Sequence, residues 1–244
     1  MIAASFILLF PSQAKSVELI VGFQNTQPKY LIKDNRLSGL CFDIYRKIES
    51  RLKTKNIVFN YPSYYTPLKR IFSDMEMGKT HLYCGAGKNN KRTEKLIYSD
   101  IPLYEVKNLI VSRADDATAA NSLDDLVRKA SPVIALLGSS TEKYLRNHNV
   151  PIEPISPTSA THALKLVQKS RARYFVYHDI GIRYHIKENF SDQDFKFAES
   201  PVRRYDHYMV LSPHISDKAI SDINHAIRQL SESGDILSIM KKYQ

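Results

Sequence analysis

Short apolar β-type segments alternate with amphipathic helical segments along this chain, and the alternation runs twice. Residues 17–22 (VELIVG) are apolar and branched, as a buried strand requires. Residues 40–52 carry Phe42, Ile44, Tyr45, Ile48 and Leu52 at helical spacing. Residues 56–61 alternate like a strand. Residues 65–77 set Leu68, Ile71, Phe72 and Met75 on one helical face and stop at Gly78. Residues 81–85 form a strand that runs into Gly85-Ala86-Gly87. The second set begins with a strand over 109–112. Ser122 then reads as an N-cap with Asp125 three residues on. A buried strand over 133–137 leads through Gly138-Ser139-Ser140-Thr141 into a helix from Glu142. A helix over 159–169 turns Ala163, Leu164 and Val167 inward. A strand over 173–177, a helix with Ile182 and Ile186, and a strand over 208–211 follow. Residues 217–243 close the chain as two helices parted at Gly234. Such alternation predicts α/β layers with largely parallel sheets. Repeated over about 17–100 and 109–212, it predicts two lobes with a cleft between them.

The 244 residues suffice for two small lobes, each with a core. Residues 1–14 (MIAASFILLFPSQA) hold an apolar run from Ile2 to Phe10 and small residues at Ser12 and Ala14. The run is far shorter than the roughly 20 residues of a membrane helix, so a cleaved signal peptide fits; a buried first element is the other reading. No cysteine follows the run, which argues against a lipid anchor, and no other stretch predicts membrane insertion. Cys41 and Cys84 match no metal spacing; in an exported protein they allow one disulfide, the alternative being two buried thiols. The net charge of +10 comes from Lys and Arg spread along the chain, without a recognised nucleic-acid module, so no nucleic-acid partner is expected.

Seven short pieces, in order, resemble the third family of bacterial periplasmic solute-binding proteins, which includes the polar amino-acid binders. They are the opening strand and Leu37-Ser38-Gly39-Leu40-Cys41-Phe42-Asp43; Gly78-Lys79 before a strand; Arg92-Thr93-Glu94-Lys95; Tyr98-Ser99-Asp100-Ile101-Pro102-Leu103-Tyr104; Ser122-Leu123-Asp124-Asp125-Leu126; Gly138-Ser139-Ser140-Thr141; and Gly234-Asp235-Ile236-Leu237 with Lys241-Lys242-Tyr243. The resemblance implies a two-lobed type II periplasmic binding fold, each lobe a mainly parallel sheet flanked by helices, with a two-segment hinge. Its crossings would fall near Tyr104-Glu105 and Ser212-Pro213. Lobe 1 would be 16–104 plus 214–244, and lobe 2 would be 105–213. A monomer without cofactor or metal is implied, capturing a small polar solute for an ABC-type permease.

A solute bridging two lobes needs a guanidinium, helix N-terminal N–H groups, an aromatic wall and, for an amine, an acid. The resemblance puts Arg92 at the position that grips a ligand carboxylate, with Gly87 and Asn89 beside it as donors. Ser139, Ser140 and Thr141 open a helix toward an anion, Ser140 serving both as cap and as contact. Tyr30 falls near the stacking aromatic, and Tyr65, with Tyr64, offers a second wall. The ammonium-binding acid aligns with His178, and Asp179 comes one residue later; either could face the cleft. Gln24 and Asn25 stand where amino-acid binders often carry an acid. Some proteins of this fold are enzymes, such as cyclohexadienyl dehydratases, and others are sensor modules. Here a base or acid would be His178, Asp179 or Glu142, but no catalytic motif accompanies them, so no enzyme activity is expected.

Overall fold

The computed structural model describes residues 16–34, 36–137, 139–155, 157 and 159–243; the expected signal peptide lies outside these residues. The first part of the chain forms β1 (Val17–Ile20), the hairpin β2 (Leu31–Lys33) and β3 (Arg36–Ser38), α1 (Leu40–Leu52), β4 (Ile57–Asn60), α2 (Leu68–Glu76), β5 (Leu82–Ala86), the short α3 (Asn90–Thr93) and β6 (Ile97–Tyr98). The second part holds β7 (Tyr104–Arg113), α4 (Leu123–Arg128), β8 (Val133–Ile134), α5 (Ser140–Asn147), α6 (Ala160–Gln168), β9 (Tyr174–His178), α7 (Asp179–Asn189), β10 (Phe195–Phe197) and β11 (Arg203–Leu211). α8 (Asp217–Glu232) and α9 (Asp235–Lys241) then return to pack on α1, where Lys47 and Arg51 pair with Asp235 at 3.0 and 3.3 Å.

The first lobe is built on β4 and β1, paired in parallel, with a parallel bridge from Val21 to Leu82 of β5. α1 covers it with Leu40, Cys41, Ile44, Tyr45, Ile48 and Leu52, the face its spacing predicts. α2 starts at Leu68, three residues later than expected, because Pro67 disfavours helical backbone at Thr66. Thr66 is instead drawn out to donate its N–H to the Phe23 carbonyl at 2.7 Å. In the second lobe β8 runs parallel to β9, and β7 joins antiparallel. Its strands are apolar on both faces, so period-two alternation feeds two separate cores. Val111, Ile134 and Phe175 pack to one side with α6 and α7; Ile110, Val133, Tyr174 and Val176 pack to the other with α4 and α5.

The parallel pairs follow from the alternating pattern. The antiparallel ones enter with β7 and β11, both longer than the sequence suggests. They pair with each other from Tyr104 to Asn108 and from Arg203 to His207. Beyond this ladder β7 continues against β9 and β10, while β11 continues as Tyr208–Leu211 against β5 and β6. β11 therefore changes partners between His207 and Tyr208, upstream of Ser212-Pro213 where the sequence reading sets the second crossing. The apolar run Tyr208–Leu211 needs no break before it enters the first sheet. No helix among the described residues is long and apolar enough to span a membrane.

Cys41 on α1 and Cys84 on β5, 43 positions apart in sequence, form a disulfide with Cα atoms 5.6 Å apart. Cross-linking a loop of that length removes unfolded-chain entropy worth about 4 kcal/mol. Protein refolded in reductant should therefore lose about 4 kcal/mol of unfolding free energy in a urea titration; equal stability with and without the bond would contradict this account.

Candidate functional site

Where β5 ends, Gly85 adopts φ +84°, and a Cβ there would lie 2.5 Å from the Tyr104 hydroxyl. Only glycine fits, and its carbonyl is left facing Lys29. The Lys29 ammonium donates to that carbonyl at 3.1 Å. Its backbone is pinned because the first N–H groups of α1, from Leu40 and Cys41, donate to the Pro28 and Lys29 carbonyls at 3.0 and 2.9 Å. Lys29 is 7% exposed, and no carboxylate among the described residues pairs with it. Burial, with the nearby Arg92 charge adding to it, lowers its pKa to about 8.

Arg92 stands on α3, which Asn89 caps by accepting the Arg92 N–H at 3.1 Å. Its guanidinium lies 4.4 Å from the Phe72 ring centroid and donates to the Gly87 carbonyl at 3.4 Å, to which Tyr98 also donates at 3.2 Å. Gly87 and Asn89, expected as donors to solute, here orient Arg92 through their oxygens. Arg92 forms no ion pair among the described residues.

On the second lobe the three hydroxyls before and within α5 divide their work. Ser139, not Ser140, is the N-cap and accepts the Glu142 N–H at 3.1 Å. Thr141 is buried and accepts from Asn108 Nδ2 at 2.8 Å. Ser140 is exposed and accepts from Arg203 Nη2 at 2.9 Å. Arg203 went unremarked in the sequence. It lies between the rings of Tyr144 and Tyr205, 4.8 and 4.3 Å from their centroids. Its Nε and the Oδ1 of neighbouring Asn108 are buried without hydrogen-bond partners. The missed signal was alternation: Arg203, Tyr205 and His207 point inward while Arg204 and Asp206 are exposed. Arg204 pairs with Glu105 at 2.9 Å; Arg203 has no such partner.

His178 and Asp179 both border this region. His178 caps α7, its Nδ1 accepting from Gly181 N–H at 3.0 Å, so Nε2 carries the proton. A Cβ at Gly181 would come 2.4 Å from the imidazole, so a larger residue would displace the cap. Burial first, and then the Lys29 charge, pushes the His178 pKa down to about 3. His207 is buried against Tyr104, whose hydroxyl lies 3.3 Å from Nδ1. Burial holds His207 well below the usual range, and the charges of Lys29, His178, Arg203 and Arg92 add to this. Asp179 accepts the Lys107 N–H at 3.2 Å, and burial raises its pKa.

Tyr30 is not part of a wall. It is fully buried in the first core, and its hydroxyl donates to the Cys84 carbonyl at 2.6 Å and accepts the Cys84 N–H at 3.1 Å. An apolar ring beside α1 was drawn into the core by Phe23, Tyr45 and Tyr83. Tyr65 is half-buried and accepts from Ile32 N–H at 2.7 Å, within electrostatic reach of Tyr184; Tyr64 is 67% exposed. Gln24 accepts from the Tyr83 hydroxyl at 2.6 Å, and Asn25 is exposed. Glu142 is tied to Arg146. Among the described residues no group of three or more His, Cys, Asp or Glu is arranged for a metal. Open surface hollows beside Arg173 and beside Phe197 lie away from these residues.

Two α/β lobes are joined by two long strands, and Lys29, Arg92 and Arg203 near those strands have no acidic partner among the described residues. The chain belongs to the bacterial extracellular solute-binding proteins, family 3, whose model matches residues 19–244. No curated protein matches the sequence. Among solved structures it is similar to the probable amino-acid ABC transporter extracellular-binding protein ytmK from Bacillus subtilis, with 15% identity, TM-score 0.79, and 94% of this chain and 98% of that one covered. It is similar to the GluR0 ligand-binding core from Nostoc punctiforme in complex with L-glutamate, at 22% identity, TM-score 0.73, and 92% and 98% coverage. It is similar as well to a mutant of ArgBP from T. maritima, at 18% identity, TM-score 0.72, and 93% and 94% coverage. At these identities the likeness defines the fold and leaves the ligand open.

Two predictions follow from the buried bases. Unfolded histidine titrates near 6.5, whereas His178 and His207 stay neutral in the fold well below that. Below pH 6.5 the unfolded chain therefore binds protons that the folded chain refuses. The stability is full above that pH and is lost as pH falls toward the folded values, by up to about 1.4 kcal/mol per pH unit per histidine. Denaturant titrations at pH 7.5 and 5 should show this loss, and His178→Asn, which keeps a capping acceptor, should show roughly half of it. An unchanged pH slope in the variant would contradict the assignment. Lys29, in turn, costs stability while it is charged and buried. Its lowered pKa corresponds to roughly 3 kcal/mol, offset by roughly 1 kcal/mol for its hydrogen bond. Lys29→Met should raise the unfolding free energy of ligand-free protein at pH 7 by about 2 kcal/mol; a loss of stability would show that the ammonium has a counter-charge.

Proposed function

We propose that this chain is a periplasmic solute-binding protein that closes two lobes over a small polar solute, an amino acid or a related carboxylate or amine, and delivers it to an ABC-type permease. With the second crossing moved to where β11 changes partners, lobe 1 comprises 16–104 and about 208–244 and lobe 2 about 105–207, with the antiparallel β7–β11 ladder as the hinge. The observation that carries this reading is the pair of unmatched guanidinium groups, Arg92 on one lobe and Arg203 with Ser140 on the other, flanking shared strands. A solute that touches both stabilises the closed form by its differential contacts with that form. Arg92 supplies the charge-assisted contact to a carboxylate, with Ser140 and the start of α5 opposite. In this reading His178 and Asp179 serve the scaffold, His178 Nδ1 as the cap of α7 and Asp179 as acceptor of the Lys107 N–H.

A thermal-shift screen over amino acids, organic acids and polyamines tests the reading. A solute at about 100 times its Kd adds about 2.7 kcal/mol of stability. For the best hit, Arg92→Ala should weaken binding by at least about 1.5 kcal/mol in calorimetry. Unchanged affinity in that variant would remove Arg92 from the site, and turnover of the hit to a product would favour a catalytic role.

A further inference from the structure

The cations at this cleft are not balanced by the protein. Several surface arginines are matched by acids, Arg173 by Asp116, Arg146 by Glu142, and Arg204 by Glu105. None of the ion pairs among the described residues involves Lys29, Arg92 or Arg203. Lys29 and Arg92 donate to the carbonyls of Gly85 and Gly87, two residues apart. His207 feels all three charges, and His178 feels that of Lys29. Tyr205 connects the two sides: Arg203 lies 4.3 Å from its ring centroid, His207 meets its edge at 5.3 Å, and a Cβ at Gly87, whose carbonyl holds Arg92, would lie 3.4 Å from the same ring. Both histidines are neutral, so they do not balance charge. Asp179 contributes one negative charge when ionised, which leaves these four groups at net +2, and Lys107 and Arg183 near Asp179 add to the positive side.

Charges held away from water are costly unless a partner meets them. Lys29 carries three N–H donors, of which the Gly85 carbonyl takes one. Arg203 keeps a buried Nε–H without an acceptor, aligned by two tyrosine rings rather than by an acid. Resting on the solute-binding reading above, we infer that the solute selected here is a dicarboxylate dianion, one carboxylate taken by Arg92 and Lys29 and the other by Arg203 and Ser140, with its spacer lying along Tyr205. A zwitterion leaves the +2 excess in place, and a cationic amino acid raises it.

Calorimetry on the purified full chain at pH 7 with matched probes tests this: glutarate and malate as dicarboxylates, butyrate as a monocarboxylate, glutamate, glutamine, arginine and inorganic phosphate. The dicarboxylates should bind at least tenfold more tightly than any other probe. Arg203→Gln should weaken glutarate at least tenfold and butyrate less than twofold, with the ligand-free melting temperature recording that the variant folds. The inference is overturned if glutamine, glutamate, arginine or phosphate binds more tightly than the dicarboxylates, or if Arg203→Gln weakens butyrate and glutarate equally. Should no small solute of any class bind, the solute-binding reading itself falls, an outcome distinct from a solute of the wrong charge.

Discussion

The ladder between β7 and β11 is the constraint on which the rest depends. Five residues of each strand pair antiparallel, and past them the strands part into different sheets. Whatever points inward along this ladder is automatically between the lobes, and whatever points outward is in solvent. Strand periodicity does the sorting. Arg203, Tyr205 and His207 turn toward the cleft. Arg204 and Asp206 face water, where Arg204 finds Glu105 of the opposite strand. The same chain crossing that joins the lobes thus also places these side chains beside the shared strands.

The groups placed there are unfavourable for stability. A buried lysine, two guanidinium groups without acids and two buried histidines kept neutral all raise the energy of the ligand-free fold. The surrounding structure holds them by geometry. Asn89 caps the short helix that bears Arg92, Gly85 turns a carbonyl to Lys29, and Tyr144 and Tyr205 clamp Arg203. The disulfide between Cys41 and Cys84 sits next to this arrangement, one sulfur near the Tyr104 hydroxyl that also reaches His207.

Local rules in the sequence account for much of the scaffold. α1 runs over the residues its apolar spacing predicts, Ser122 caps α4 as read, and Gly234 parts α8 from α9. Candidate residues were legible where a motif or a strand end announced them: Arg92 after the glycine turn, His178 and Asp179 after β9. It was not legible where partners come from far along the chain. Tyr30 offered an aromatic near the first strand, but only the closing of β5 against it decided that its hydroxyl belongs to Cys84. Ser140 and Ser139 are interchangeable as caps on local grounds, and one residue of helix start exchanged their roles. Lys29 drew no notice because its burial follows from a carbonyl 56 residues away.

By itself, then, the sequence determined the alternation of strands and helices, their caps and breaks, and the doubling that implies two lobes. These are set by spacing and backbone preference within a few residues. The tertiary structure alone decided that β7 and β11 extend and exchange partners, that Lys29, Arg92 and Arg203 are placed without acidic partners among the described residues, and that His178 and His207 stay neutral. Those outcomes depend on distances and desolvation between segments remote in sequence, and such energies exist only once the chain is packed.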